Sequence, residues 1–328
     1  MCKNNITVVW ERFYNPPAGC LTNEPIKVMR MSNGECHVPF EEYDKIIPCI
    51  HVTGKGDSKT GDGVQSLSTP INETCDHSFE CFYDGTCYGC GGEFTHYPNT
   101  AIRYAETLKA YIEWDVDRIA DEIERQIKKS TTMFRFSVIG DLTPKSLEAM
   151  VILSKRLLSA GRDIHFYTYT KKYSLVNAYV KKHGDSKAIA IPSNFEVLFS
   201  EWKGHKMDNP YGFRLSRFVP FEEKDNIQLE EGALICPCSF TEWAGTCEEC
   251  RQCPEGEGNV YLVEHSTAKS AKHDKEVHAK QKTLKDKKKE LKALLRATKK
   301  AGGETYSKAM QAWEMFRTEH IDRFIKKG

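Results

Sequence analysis

Four cysteines fall within sixteen residues in the stretch Thr74-Cys-Asp-His-Ser-Phe-Glu-Cys-Phe-Tyr-Asp-Gly-Thr-Cys-Tyr-Gly-Cys-Gly-Gly92, spaced Cys75-x5-Cys81-x5-Cys87-x2-Cys90. The segment has neither helical nor strand periodicity. A loop dense in thiols and small residues can wrap its backbone around one point, which a metal ion or cluster requires. Three readings stay open for it: a zinc knuckle that holds the fold, an iron–sulfur cluster that does chemistry, or buried thiols and disulfides.

A second group follows: Cys236-Pro-Cys238, then Cys247-x2-Cys250-x2-Cys253 with Pro254 directly behind. Zinc sites typically pair one Cys-x2-Cys with another some distance away. Thiols at i, i+3 and i+6 before a proline instead match the run that ligates a cuboidal [4Fe–4S] cluster. Cys236 or Cys238 would supply the fourth corner, and zinc remains the alternative. The chain has 13 cysteines, an odd number, of which the two groups hold nine. That pattern favours metal sites in a reducing compartment over a disulfide framework. Cys2, Cys20, Cys36 and Cys49 stand singly and read as small buried hydrophobes.

At 328 residues, with 40% hydrophobic and 11% aromatic content, the chain can bury a large core. The N-terminus, Met-Cys-Lys-Asn-Asn-Ile, lacks an apolar signal core, and no stretch is long enough to cross a bilayer. A cytoplasmic protein without a membrane partner is expected. Gly54 to Gly63 lacks the spacing of a phosphate loop, which discounts nucleotide binding there.

The net charge of +1 hides an asymmetry: Lys269 to Lys300 carries 13 Lys/Arg against 4 Asp/Glu, so the rest of the chain is at −8. A helix of that charge either contacts nucleic-acid phosphates or is a solvated face. Histidines but no aromatics are interspersed in it, which favours the solvated face.

Three regions emerge. Residues 1–70 read as a β-rich segment, with strands near 6–10, 26–31 and 46–52. Residues 71–265 read as an α/β core, and 266–328 as a lysine-rich helical tail split by Gly302-Gly303. In the core, Ala101, Tyr104, Leu108, Ile119, Ile123 and Ile127 mark one long amphipathic helix over 99–129. Strands at 134–142, 163–170, 188–191, 195–202 and 259–263 alternate with helices at 144–160 and 173–183. Such alternation predicts right-handed βαβ units and an α/β fold: a partial (β/α) barrel or open parallel sheet of about four to six strands. Sites in these sheets form beyond the C-terminal strand ends. Gly140-Asp141, Thr168 to Thr170 and Ser200-Glu201 are therefore expected on one rim, together with both cysteine groups. Asp141 either receives a ligand's amino group or caps the next helix.

The order Cys75…Cys81…Cys87-Tyr88…Cys90, Phe134-Arg-Phe-Ser-Val-Ile-Gly-Asp141, Phe166-Tyr-Thr-Tyr-Thr-Lys171 and Ile235-Cys-Pro237…Cys253…His265 resembles the phage "gene product 88" domain family, over about residues 70 to 265. The sequence of cysteine loop, helix and strand ending in Gly-Asp is similar to radical S-adenosylmethionine enzymes. Their usual motif is Cys-x3-Cys-x2-Cys, and here the first gap is longer. The resemblance implies that Cys81, Cys87 and Cys90 hold a cluster whose open iron binds S-adenosylmethionine. It also implies that the second group holds an auxiliary cluster. Gly91, Gly92, Gly140, Asp141, Thr168, Thr170 and Glu201 are the expected cofactor contacts, with Cys75 a further ligand candidate. A phage origin, action on an unknown substrate in the host cytoplasm, and nucleic acid as partner of the basic tail are the corresponding expectations. The competing function is a zinc- or cluster-stabilised binding protein of the phage; a third is an electron carrier.

Overall fold

From Val64 onward the chain alternates short aromatic and β-branched runs with amphipathic stretches, and seven of those runs form one parallel sheet. The computed structural model describes residues 6–83, 87, 89, 97–240, 242–264 and 270–325. Strands β1 (Val8–Tyr14), β2 (Ile26–Met31) and β3 (Cys36–His37) form a small antiparallel sheet in that order. Its middle strand turns Ile26 and Val28 into the main core, both without exposed surface. The expected strand at 46–52 is instead extended chain with no sheet partner. Its amides bond to the neighbouring helices, Cys49 N–H to Glu106 O and Val52 N–H to the Gln126 side chain.

The large sheet has seven strands: β4 (Val64–Ser66), β5 (Met133–Phe136), β6 (His165–Thr170), β7 (Phe195–Glu201), β8 (Leu215–Val219), β9 (Leu234–Ile235) and β10 (Val260–Val263). Their spatial order is β4-β5-β6-β7-β8-β10-β9, with every pairing parallel. The end strands β4 and β9 have one neighbour each, so the sheet is an open, partial barrel, as the alternation predicts. It exceeds the expected strand count because β4, β8 and β9 span only three, five and two residues. The tetrapeptide Ala188 to Ile191, expected as a strand, lies in and beside the helical turn Lys187–Ala190. A run that short carries no period to decide between the two.

Along the chain, the helices are α1 (Ile71–Thr74), α2 (Pro98–Glu113), α3 (Val116–Gln126), α4 (Pro144–Ser159) and α5 (Tyr173–Lys182). The single helix expected at 99–129 is two. Trp114 is extended, and the Asp115 side chain accepts from Arg118 N–H at 2.8 Å, capping α3. One face of the sheet, with Phe134, Phe136, Phe166, Phe195 and Phe199, packs under α2 to α5 in the main core. Each fully buried phenylalanine contributes about 1.5–3 kcal/mol. The other face, with Val64, Met133, Tyr167, Leu198 and Val260, packs against Cys236 and Cys253.

The C-terminal helices α6 (Ala271–Lys299) and α7 (Gly303–Arg317) pair with each other. They also dock on the segment that carries the second cysteine group. Ala244 packs with Phe316 and Ile321, and the buried Lys288 donates to Ala244 O and to Glu249 Oε2.

Candidate functional site

Strand β5 ends in an irregular turn that defines the rim. Ser137 adopts φ 50°, a left-handed conformation that costs a non-glycine residue about 1–2 kcal/mol. Gly140 sits at φ 78°, and a Cβ there would meet Thr69 Oγ1 at 2.3 Å and Thr69 O at 2.6 Å, so only glycine fits. Asp141 follows, buried apart from a small surface on the cleft. Its carboxylate accepts from Thr170 Oγ1 (2.6 Å), Lys171 N–H (3.0 Å) and Leu142 N–H (2.7 Å). It does not cap the next helix: Thr143 does, accepting from Ser146 N–H at 3.1 Å. Burial raises the Asp141 pKa, against the lowering effect of those donors.

The first cysteine loop is tied to this turn. Asp141 N–H donates to Thr74 Oγ1 at 2.9 Å, and Thr74 Oγ1 donates to Pro70 O at 2.6 Å. Cys75 comes next, so its position follows from that of Asp141. Burial, and then the Asp141 charge, push its thiol well above the ordinary value, while Lys171 pulls it down. Gly89 packs close to the rim, where a Cβ would lie 3.1 Å from both Ile71 Cδ1 and Ile139 Cδ1.

Cys75, Cys81 and Cys87 open onto a cleft of about 800 Å³, mouth included, whose opposite wall is Gly140, Asp141 and Thr170. Three of the four loop thiols and residues from all three expected strand ends thus share one cavity at the C-terminal rim. Cys90, Gly91 and Gly92 lie outside the described residues. Thr168 is fully buried on the helix side of the sheet, donating to Phe136 O at 3.2 Å, and does not line the cleft. Glu201 lies in a neighbouring cavity, paired with Arg217 at 3.2 Å; Ser200 is the β7 residue that faces the cleft. Alternation along β7 explains the exchange of Glu201 for Ser200, whereas Thr168 shares a face with Thr170 and lies one step further from the strand end.

Sequence reasoning missed Lys171 and Arg135, and it placed Tyr169 on the rim without giving it a role. The Lys171 ammonium lies 3.4 Å from Ser200 Oγ and 5.2 Å from the Trp202 ring centroid, on the cleft wall. Arg135 lies 5.0 Å from the Tyr169 ring, and both line the cleft. The available signal was Arg135 itself, one charge inside the apolar run Phe134-Arg-Phe136.

The second cysteine group is not on this rim. Cys247 N–H and Glu248 N–H donate to Lys59 O and Thr60 O, ahead of β4. Glu248 accepts from Gly63 N–H, and Glu255 pairs with His165 at the start of β6. The group therefore fills the sheet's concave face from the N-terminal strand ends. Two one-turn helices, Cys247–Cys250 and Gln252–Glu255, meet at Arg251, which is left-handed at φ 54°. That break is how the i, i+3, i+6 spacing turns its thiols inward. Cys238 Sγ lies 3.6 Å from Cys247 Sγ and is also within bonding reach of Cys236. Contact with Cys238 lowers the Cys247 pKa. Burial pushes Cys253 up to about 12. No disulfide joins the described cysteines of either group.

No helix among the described residues is long and apolar enough to cross a membrane. No curated protein and no solved structure matches the chain. Residues 52–285, which span the sheet, the rim cleft and both cysteine groups, match the family described as gene product 88. The chain therefore belongs to the gene product 88 family of phage proteins.

Proposed function

We propose that this is an iron–sulfur protein of radical S-adenosylmethionine type, acting on a substrate not yet identified. The observation that carries the reading is the rim cleft, where Cys75, Cys81 and Cys87 face Gly140-Asp141 and the Lys171 ammonium. The donor chemistry fits. Two sets of thiols are gathered without disulfides, one beside a cavity and one packed against the sheet's inner face. Among the described residues, no three thiols of either group lie within 4.8 Å of one another. Cys238 and Cys247, at 3.6 Å, stand close to the roughly 3.8 Å that a tetrahedron of 2.3 Å zinc–sulfur bonds requires, which keeps zinc as the competing metal for the inner group.

Cys75, Cys81 and Cys87, with Cys90 of the same loop, would hold the rim cluster. Cys236, Cys238, Cys247, Cys250 and Cys253 would supply the ligands of the inner one. A bound [4Fe–4S] cluster supplies one-electron chemistry to a ligand beside it. The chain's own residues supply recognition. Lys171 offers a cation for a carboxylate, Ser137 and Ser200 offer hydroxyls, and Asp141 retains acceptor capacity for an amino group. Protein purified without oxygen should contain iron and sulfide, absorb broadly near 400 nm, and bind S-adenosylmethionine. Colourless protein with stoichiometric zinc would remove this reading.

A zinc- or cluster-stabilised nucleic-acid-binding protein is the second reading. It is favoured by the lysine-rich groove formed by Lys59, Lys282, Lys285 and Lys289 beside Cys238. Binding to duplex or single-stranded DNA that falls steeply with salt, and is lost when these lysines are neutralised, would support it.

A further inference from the structure

Cys20, His51 and Glu106 come from three separate parts of the chain, yet their ligand atoms all lie within 4.8 Å of one another. We infer that these three side chains form a metal site of the zinc class, distinct from both cysteine groups. The carboxylate is the anchor. Glu106, on α2, has no exposed surface, and its Oε1 accepts from Thr22 N–H at 3.0 Å. Its Oε2 lies 2.5 Å from His51 Nε2, and Cys20 reaches the same carboxylate.

The surroundings hold each donor in place. Cys49 N–H donates to Glu106 O at 3.2 Å and His51 N–H to Thr107 Oγ1 at 3.3 Å, which fixes the unpaired chain at 46–52 against α2. Thr22 Oγ1 accepts from Ile47 N–H at 3.0 Å, joining the two loops to each other. Arg103 donates to Ala18 O at 2.9 Å and contacts the Cys20 thiol, so a cation already balances the thiol side. Such backing bonds orient ligands in metal sites generally. Cys20 and His51 are only half-buried, which leaves an approach for an ion and room for a further ligand.

One thiol, one imidazole and one carboxylate form a set of borderline softness, suited to zinc or cobalt and poorly to magnesium or calcium. Binding expels the Cys20 thiol proton to solvent, leaves the His51 ring proton on Nδ1 in place of Nε2, and puts the ion where the His51–Glu106 hydrogen bond now lies. Cys20 and His51 precede the family match at residue 52, whereas Glu106 lies inside it. The site therefore joins this chain's N-terminal segment to the family core and uses none of the thiols of the two cysteine groups.

The test is zinc stoichiometry on the full-length protein, stripped with chelator, reloaded with zinc chloride, desalted and analysed by atomic emission. His51→Gln and Cys20→Ser should each bind one zinc fewer per chain than wild type. Magnesium chloride in excess should not restore or displace that equivalent. The difference is unaffected by metal at the other cysteines, which both variants retain. His51→Gln keeps a donor for Glu106, and its circular dichroism in chelator should match wild type. Equal zinc content in wild type and a folded His51→Gln would overturn the site and leave only a hydrogen-bonded brace.

Discussion

The Tyr169 hydroxyl donates to Cys253 Sγ at 2.8 Å, while the same residue lines the cleft onto which Cys75, Cys81 and Cys87 open. One side chain on β6 thus touches both cysteine groups' surroundings, with Arg135 stacked beside it. Tyr169→Phe removes the bond and little volume. The expected loss is about 0.5–1.5 kcal/mol in urea unfolding, the net value of one hydrogen bond. If the inner group carries a cluster, the same change should also lower its reduction potential, because a donor to sulfur favours the reduced state. A potential that does not move in cluster-loaded Tyr169→Phe would separate Cys253 from the metal.

Thr74 is the second point of leverage. Thr74→Val keeps the shape and deletes the acceptor for Asp141 N–H, leaving a buried amide unpaired. The expected cost is about 1–3 kcal/mol, and Thr74→Ser should recover most of it. Chemical denaturation of the pair measures this. Equal midpoints for Val and Ser would show that the loop is not anchored through this bond.

A pH effect follows from two acids behind the loop. Burial, and then the Glu73 charge, raise Glu35 to about 8; burial raises Glu73 to about 8. Burial lowers His37 to about 4. The raised carboxyls bind more protons folded than unfolded. Their contribution is full below about pH 4.3 and is lost as pH rises through 8. His37 acts the other way: its contribution is present above about pH 6.5 and is lost as pH falls towards 4. Between about pH 6.5 and 8 the carboxyls act unopposed, so stability should fall on raising pH, by up to about 1.4 kcal/mol per unit per proton. The two acids release protons in coupled steps. Urea midpoints across that range should flatten in Glu35→Gln; an unchanged slope would exonerate the pair.

How far the sequence alone reaches can be judged at particular residues. The alternation around Phe134, Phe166 and Phe195 carried the parallel sheet, because strands of that length imprint their period. β9, at Leu234–Ile235, left no imprint, since two residues have none. The rim turn was legible through Gly140-Asp141, yet the Asp141 role was not. Its three donors come from positions 142, 170 and 171, and only the folded sheet brings the last two near. The inner placement of Cys236 to Cys253 was misjudged for the same reason. Spacing reports which thiols can converge and is silent on which end of the sheet receives them.

The charge of Lys269 to Lys300 favours a solvated helix face, but Lys288 is buried and bonded to Glu249, one residue before Cys250. Lys288→Met should leave Glu249 without its nearest cation at a part-buried position, at a cost of about 1–3 kcal/mol. Hydrogen exchange along α6 should speed up, along with exchange in 242–253. Accelerated exchange confined to α6 would show that the helix is not bracing the inner cysteines.

The strand order has a kinetic consequence. β10 is the last strand in the chain, yet it lies inside the sheet between β8 and β9. While the protein is being synthesised, β9 emerges with no partner and must wait, because its only neighbour comes some two dozen residues later. All five inner cysteines are made during that wait, between the two strands. Insertion of β10 therefore closes the sheet behind the thiols in one late, non-local step, the slowest kind of contact for a chain to find. Until then, thiols that end half-buried or buried against the sheet are fully open to the cell's metal donors.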